Sequence, residues 1–444
     1  MKQPGIENLA QAGSTGQLPA PGITKKPFLR AEMAALLLVA GVLTVFQIVL
    51  VYNLTARFNS DPATDFNIFL KFARAVLDGQ SPYQPYQPLQ GAFQGELRFI
   101  YLYWVIFFYL PFARLETDLA LHLWAVINLL LLFGAVWLGW RAYLPKWRGY
   151  WLLPLYCLAL AVCSNAIMNG HTTVIMLLGL AASAYLYRQG KFFAAGLPAL
   201  VLLIKPQVTF LAGAALLALV VYQLARFKGI YWKYNNWPPL LKWLSGAVVS
   251  TLVITAVSLA FEPDWPFRLA GAFNAQQING QIQADGTYLE FYKSIFPSWL
   301  EFLTGWTQPW VALVSVQVMA GLVVWGSFRL WQWREDYPVF LGIGLALTLT
   351  VTTYSHVYDF PPLVLAVFIV LGQTGRDWRA RGIRPVLLRS GALVLLFTLQ
   401  PLSPDYRWFY SQPFVITLLV LTIAPEKPGA GKNLASNHHQ PSEI

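Results

Sequence analysis

Residues 118–140 read DLALHLWAVINLLLLFGAVWLGW, and from Leu119 to Trp140 the stretch contains no Lys, Arg, Asp or Glu. An α-helix of this length, rising about 1.5 Å per residue, crosses the roughly 30 Å hydrocarbon core of a bilayer. The basic residues that follow it are Arg141, Lys146 and Arg148. The stretch therefore predicts a membrane-spanning helix that ends in a basic turn.

Similar stretches recur along the whole chain. Of its 444 residues 57% are apolar and only 11% are charged, whereas a soluble protein carries about 25% charged residues. We therefore predict an all-α polytopic membrane protein with one transmembrane domain over 32–425 and disordered cytoplasmic tails at 1–31 and 426–444. The twelve predicted spans are 32–53, 118–140, 150–168, 172–188, 192–204, 208–225, 242–262, 309–330, 338–354, 360–374, 391–402 and 413–425.

Residues 100–113 form a thirteenth apolar segment that is short, aromatic and interrupted by Pro111. Such a segment is typical of an interfacial or re-entrant position, although three of the twelve spans are no longer than it. If it does not span, 22 of the 31 Lys and Arg fall on the cytoplasmic side, with 7 acidic residues, and the outer side has 9 basic and 13 acidic residues. The positive-inside rule then places both termini in the cytoplasm and the loops 54–117 and 263–308 outside a cell membrane.

This sorting also explains the net charge of +11. The basic excess reflects topology, so it gives no support to a nucleic-acid partner.

The first outer loop contains a predicted amphipathic surface helix from Asp65 to Asp78. Its apolar residues recur at i, i+3, i+4 and i+7, while Lys71 and Arg74 lie on the other face, and Gly79 can close the C-terminus in the left-handed conformation. Asp65 in the first turn has two interpretations. It stabilises the helix dipole, or it accepts a proton from a hydroxyl nucleophile.

Three polar interruptions between spans fall on the same predicted side as Asp65. They are Asn169-Gly170-His171, Lys205-Pro206-Gln207 and Ser355-His356-Val357-Tyr358-Asp359. Each has a structural alternative, namely a plain turn at Asn169-Gly170, snorkelling by Lys205 to the interface, and helix capping by His356 and Asp359. Together they describe a pocket with one carboxylate and several cationic groups, which suits transfer from a phosphate-activated donor.

The sequence also excludes several kinds of site. It contains no HExxH or CxxC motif, and both of its cysteines, Cys157 and Cys163, lie in one apolar span, so zinc-ligand spacing is missing. It contains no P-loop and no GxGxxG, which argues against a soluble nucleotide as a direct substrate. We therefore expect no cofactor, and metal dependence stays open.

In its motifs the chain resembles glycosyltransferase family 87, the polyprenol-phosphate-mannose-dependent mannosyltransferases of the GT-C superfamily, over roughly residues 60–360. The resemblance begins with the run DFNIFLKFARAVLDGQSPY at 65–83 and the aromatic segment that ends at Ala113. The later matching motifs are Asn169-Gly170-His171, the basic turn 188–191, Ala195-Gly196, Lys205-Pro206 and Ser355-His356.

The resemblance implies a GT-C-type bundle with a pair of surface helices in the first outer loop. It implies an inverting enzyme that moves a sugar, mannose in the family, from a polyprenyl-phosphate donor to an acceptor hydroxyl at the extracytoplasmic face. Asp65 would be the general base, with Asp61 as the fallback. His171 stands where the family commonly has Gln, which leaves the role of that side chain open.

Other residues complete this hypothesis. Lys205, His356 and His171 would hold the donor phosphate, Asn169 would line the pocket, and Tyr288 and Tyr292 in the loop 263–308 would contact the acceptor, which is a glycolipid or a glycan. Membrane lipid surrounds the bundle. Two alternatives remain, a transporter or flippase for a lipid-linked sugar and a non-enzymatic subunit that retains the fold.

Overall fold

The computed structural model describes residues 65–85, 99–226, 237–280, 309–352, 359–381, 393 and 411–423. In chain order its α-helices are α1 (Asp65–Leu77), α2 (Thr117–Tyr143), α3 (Leu152–Met168), α4 (Thr173–Arg188), α5 (Phe192–Gly196), α6 (Pro206–Arg226), α7 (Pro239–Phe261), α8 (Trp265–Gly280), α9 (Pro309–Gln332), α10 (Tyr337–Val351), α11 (Leu363–Arg381) and α12 (Ser411–Leu421). The described part of the chain contains no strand, so the predicted all-α class is confirmed there.

Within the described residues, three helices are long and apolar enough to cross a membrane by length and composition, namely α2, α6 and α7. On α7 much of the side-chain surface is exposed, with Leu252 at 63% and Val253 at 59%. Apolar side chains exposed around most of a helix are expected where lipid is the solvent. Ten of the twelve predicted spans overlap described helices, while 32–53 and 391–402 lie outside the described residues apart from Leu393.

The amphipathic helix predicted from Asp65 onward forms where the periodicity predicts it. α1 buries Phe66, Phe69 and Leu70, which belong to its predicted apolar face. Gly79 ends the helix with φ at +74°, and the amide of Gln80 donates to the carbonyl oxygen of Ala75 at 2.8 Å. This is the glycine-closed C-terminus expected from the sequence.

The opposite face of α1 is less exposed than predicted. The Arg74 guanidinium donates to the carbonyl oxygens of Ala113 at 3.0 Å and Leu115 at 2.8 Å, and to the hydroxyl of Thr117 at 3.3 Å. Burial, and to a smaller extent Arg74, lowers the pKa of Lys71. The polar face of α1 is therefore packed against the start of α2.

The aromatic segment 100–113 folds as two short 3-10 helices, Tyr103–Phe108 and Leu110–Phe112. Its two ends reach the same place, since the Tyr101 ring lies 6.5 Å from the His171 ring and the Tyr109 hydroxyl donates to the carbonyl oxygen of Gly170 at 3.2 Å. A segment whose two ends meet one turn does not run through the bundle.

Contacts at the other end of the helices involve the basic turns. Arg188, which ends α4, bonds both carboxylate oxygens of Asp336 at 2.8 Å, and the Tyr143 hydroxyl at the end of α2 donates to the carbonyl oxygen of Pro338 at 2.9 Å. The helix bundle thus has one end with these basic turns and a second end with α1 and segment 99–113.

Two predicted stretches differ from the structure. The span 192–204 is a short α-helix, α5, that continues as the 3-10 helix Leu197–Leu203, because Pro198 removes an amide donor from the α-helical pattern. The loop predicted over 263–308 begins with the helix α8, so the amide-rich stretch to Gly280 is helical. Gln is a good helix former and Pro266 suits a first turn, which explains the helix.

Candidate functional site

The turn Asn169-Gly170-His171 positions Asp65. The amide of Phe66 donates to the carbonyl oxygen of Asn169 at 3.0 Å, which fixes the first turn of α1 on the turn between α3 and α4. Gly170 has φ at +64°, and a Cβ built on it would lie 2.5 Å from the Cβ of Phe66. Because only glycine leaves this space free, the contact sets where Asp65 begins the helix.

Two aromatic side chains anchor the same turn from other elements. The indole Nε1 of Trp124 on α2 donates to the carbonyl oxygen of Gly170 at 2.7 Å, and the Tyr109 hydroxyl donates to the same atom. Burial raises the pKa of Tyr109 well above its ordinary value, with added contributions from Tyr101 and Asp65. The phenol therefore stays protonated as a donor, and the Asp65 carboxylate lies close enough to affect it.

The side chains of the turn face different surroundings. Asn169 Nδ2 donates to the carbonyl oxygen and the side-chain oxygen of Asn165 at 2.9 and 2.8 Å. His171 is fully buried, with its ring 6.2 Å from Phe69 and 6.5 Å from Tyr101. His171 is thus enclosed by aromatic rings beneath α1.

Lys205 forms a buried ion pair. Its Nζ lies 2.6 Å from Oδ1 of Asp359, and the two side chains are 2% and 0% exposed. The alternative in which Lys205 snorkels to the interface is therefore wrong. An ion pair removed from water is stable only when the two charges are closely matched and hydrogen-bonded, as they are in this pair.

The Lys205 ion pair lies at the same end of the bundle as His171. The Tyr187 and Phe192 rings meet edge to face, 4.9 Å apart, across the turn between α4 and α5. Farther from this turn, a Cβ on Gly179 would lie 2.6 Å from Val201, so the two segments run antiparallel. Measured from Gly179 along the α-helix, the start of α4 is about 9 Å away. Measured from Val201 along the 3-10 helix, Lys205 is about 8 Å away. Lys205 and the start of α4 therefore lie at about the same height along the bundle.

The predicted site residues separate into three groups. Asp65, Asn169 and His171 are brought together at one turn, and Lys205 lies at the same bundle end beside Asp359. The remaining predicted residues lie outside the described residues, and they are Asp61, His356, Tyr288 and Tyr292.

Sequence reasoning missed several contacts that build this end of the bundle. Trp124 and Tyr109 lie within apolar segments and were not predicted as site residues, and Asp359 was predicted as part of a polar interruption, with helix capping as the alternative. The signal for Asp359 is its position directly before the apolar segment 360–374, where a buried carboxylate needs a cation as its partner. Nothing in the local sequence indicates the Gly170 contacts.

The site is built for hydrogen bonding and charge. Among the residues that the structure describes, no three His, Cys, Asp or Glu side chains are grouped to hold a metal ion. The groups present are a carboxylate beside a protonated phenol, a buried imidazole and a lysine with its aspartate. Such a set can move a proton and hold an anion.

Comparison with known proteins gave no family model that matches the chain, and no curated protein or solved structure matched it either.

Proposed function

We propose that the chain is an inverting glycosyltransferase of the polytopic membrane class, with about twelve spans, that uses a polyprenyl-phosphate sugar as donor at the extracytoplasmic face. The observation that carries the proposal is the placement of Asp65 on the Asn169-Gly170-His171 turn, where α1 begins. The motif resemblance to glycosyltransferase family 87 supports the same reaction and names mannose as the sugar.

The reaction requires a base for the acceptor hydroxyl and hydrogen-bond donors for the leaving phosphate. Asp65 takes the proton from the acceptor hydroxyl, whose oxygen attacks the anomeric carbon of the donor sugar. The bond from that carbon to the phosphate oxygen breaks, and the phosphate leaves with the electron pair, still attached to its polyprenyl chain. A single displacement of this kind inverts the anomeric configuration.

The leaving phosphate is negatively charged and needs donors. In the proposal these are Lys205, His356 and His171. Asp359 accepts one N–H donor of Lys205, which fixes the position of the ammonium group. Asp359 also offsets the charge of Lys205, so we expect the lysine to act through fixed hydrogen bonds more than through net charge.

The base is tested with purified protein, a radiolabelled polyprenyl-phosphate mannose and an alkyl mannoside acceptor. Asp65→Asn should lower transfer by about 10²- to 10⁴-fold, as removal of a general base does. The matched control is Asp78→Asn, which changes an exposed carboxylate just past the other end of α1 and should leave transfer unchanged. Full transfer by Asp65→Asn would remove Asp65 from the role.

The buried Lys205 ion pair favours one second candidate, a transporter or flippase for a lipid-linked sugar. Ionisable pairs inside membrane bundles often mark transport pathways. Reconstituted liposomes distinguish the two functions, because a transporter moves the lipid-linked sugar across the bilayer without a covalent product. The enzyme instead yields a glycosylated acceptor and needs no movement.

A further inference from the structure

Glu262, directly after α7, is the centre of a second polar cluster at this end of the bundle. Its Oε1 accepts a hydrogen bond from the Ser81 hydroxyl, and Arg268 Nε lies 3.3 Å from the same oxygen. The Glu262 side chain is 11% exposed, whereas that of Arg268 is 44% exposed. The carboxylate is therefore held in place, while the guanidinium has donors open to a ligand.

Aromatic residues connect the cluster to His171. Burial raises the pKa of Tyr83, and the charge of Glu262 raises it further, so the carboxylate is close to that phenol. The Tyr83 hydroxyl donates to the carbonyl oxygen of Tyr101 at 3.0 Å, and the Tyr101 ring is the one that contacts His171. Tyr83 and Tyr101 thus link Glu262 to His171.

The chemistry of the cluster selects the kind of ligand. Glu262 and Arg268 form a pair without net charge, so a free phosphate would meet the carboxylate and a cation would meet the guanidinium. A neutral polyol suits the pair, because each hydroxyl donates to a carboxylate and accepts from a guanidinium. Trp265, 7% exposed, adds an enclosed indole N–H that has no acceptor among the described residues.

Apolar surface flanks this polar pair on the outside. Phe261, which ends α7, is 63% exposed, and Phe267 on α8 is 81% exposed. The ring of Phe261 lies 5.4 Å from that of Phe107, and Phe267 is adjacent in sequence to Arg268. Exposed aromatic rings at a helix end suit the boundary between water and hydrocarbon.

From this geometry we infer that Glu262, Arg268 and Ser81 bind the sugar headgroup of a glycolipid acceptor, and that Phe261 and Phe267 contact its hydrocarbon. The inference rests on the proposed function, because it takes the glycolipid as the acceptor of that reaction. It selects a lipid-linked acceptor over a free glycan, since a free glycan gives Phe267 nothing to contact.

Binding is measured without transfer, using the full chain in lipid nanodiscs and two radiolabelled probes, octyl mannoside and methyl mannoside, with empty nanodiscs as the blank. Glu262→Gln and Arg268→Gln should each weaken binding of both probes about tenfold, as loss of a charge-assisted hydrogen bond does. Phe267→Ser should weaken binding of octyl mannoside alone. The matched control is Asp264→Asn, an exposed carboxylate in the same turn, which should bind both probes as the parent chain does.

Two results would overturn the inference. If Glu262→Gln and Arg268→Gln bind both probes as tightly as the parent chain, the cluster is not a sugar site. If Phe267→Ser does not change the ratio of the two affinities, the acceptor is not lipid-linked. Should Glu262→Gln fail to fold, Arg268→Gln and Phe267→Ser still decide, because both side chains are exposed.

The outcome is separable from that of the proposed function. If transfer depends on Asp65 but probe binding does not depend on Glu262 and Arg268, only this inference is overturned. Binding that depends on Glu262 and Arg268, with no transfer by the parent chain, overturns the proposed function alone.

Discussion

At the scale of the residue, Gly170 is where three parts of the chain meet. Its carbonyl oxygen accepts from Trp124 and Tyr109, and its missing side chain leaves room for Phe66. A larger residue would need the left-handed backbone, which is unfavourable for side chains with a Cβ, and would also displace α1. Both costs fall on the element that carries Asp65.

Gly170→Ala should therefore destabilise the protein by more than a left-handed alanine alone. The matched control is Gly190→Ala, because Gly190 has φ at +74° and nothing within 4 Å of a Cβ. We expect about 1 kcal/mol for Gly190→Ala, and about 1 to 3 kcal/mol more for Gly170→Ala because of overpacking. Thermal unfolding in detergent measures both, and equal losses would show that the Phe66 contact does not constrain the turn.

At the scale of the element, α5 and α7 cross at a pair of glycines. A Cβ on Gly196 would overlap the carbonyl oxygen of Trp243, and one on Gly246 would overlap that of Phe193. Small residues at a crossing let two helix backbones approach closely, as is common in membrane bundles. The crossing holds the segment that leads to Lys205.

Gly246→Ala should lower stability by several kcal/mol, since the obstacle is rigid backbone and an overpacked position costs about 1 to 3 kcal/mol even where side chains can move. Gly213→Ala on α6 is the control, because nothing lies within 4 Å of its Cβ. Alanine is the better helix former by about 1 kcal/mol, so the control should be neutral or stabilising. Similar losses in both variants would contradict the close crossing.

The elements also show which kinds of prediction succeed. α1 follows from a local pattern of apolar residues and a closing glycine, and both are found in the structure. α8 differs from the predicted loop, because polar amide residues are common in turns although Gln is also a good helix former. For this stretch the helix propensity of its residues is more informative than their polarity.

At the scale of the whole molecule, the two ends of the bundle differ in chemistry. One end has Arg188 bonded to Asp336, and the other has α1 and the buried Lys205. The positive-inside rule predicts that the first end faces the cytoplasm. The native cysteines are suited to a test, since Cys157 and Cys163 are both buried.

Single cysteines placed at Gln84 and Gln189, both exposed, should therefore label from opposite sides. In intact cells a membrane-impermeant maleimide should modify Gln84→Cys, and it should reach Gln189→Cys only after permeabilisation. The parent chain should label weakly because its thiols are enclosed. Labelling of both variants from the same side would reject the alternating topology.

The sequence by itself determined the membrane class and the amphipathic α1, because composition, periodicity and helix termini depend on neighbouring residues. It also identified Asp65 and the polar interruptions between spans as candidate site residues. Only the tertiary structure decided that Lys205 pairs with Asp359, 154 residues away, and that Ser81 meets Glu262, 181 residues away. Such partners are chosen by how helices pack, and packing depends on the shape of the whole bundle.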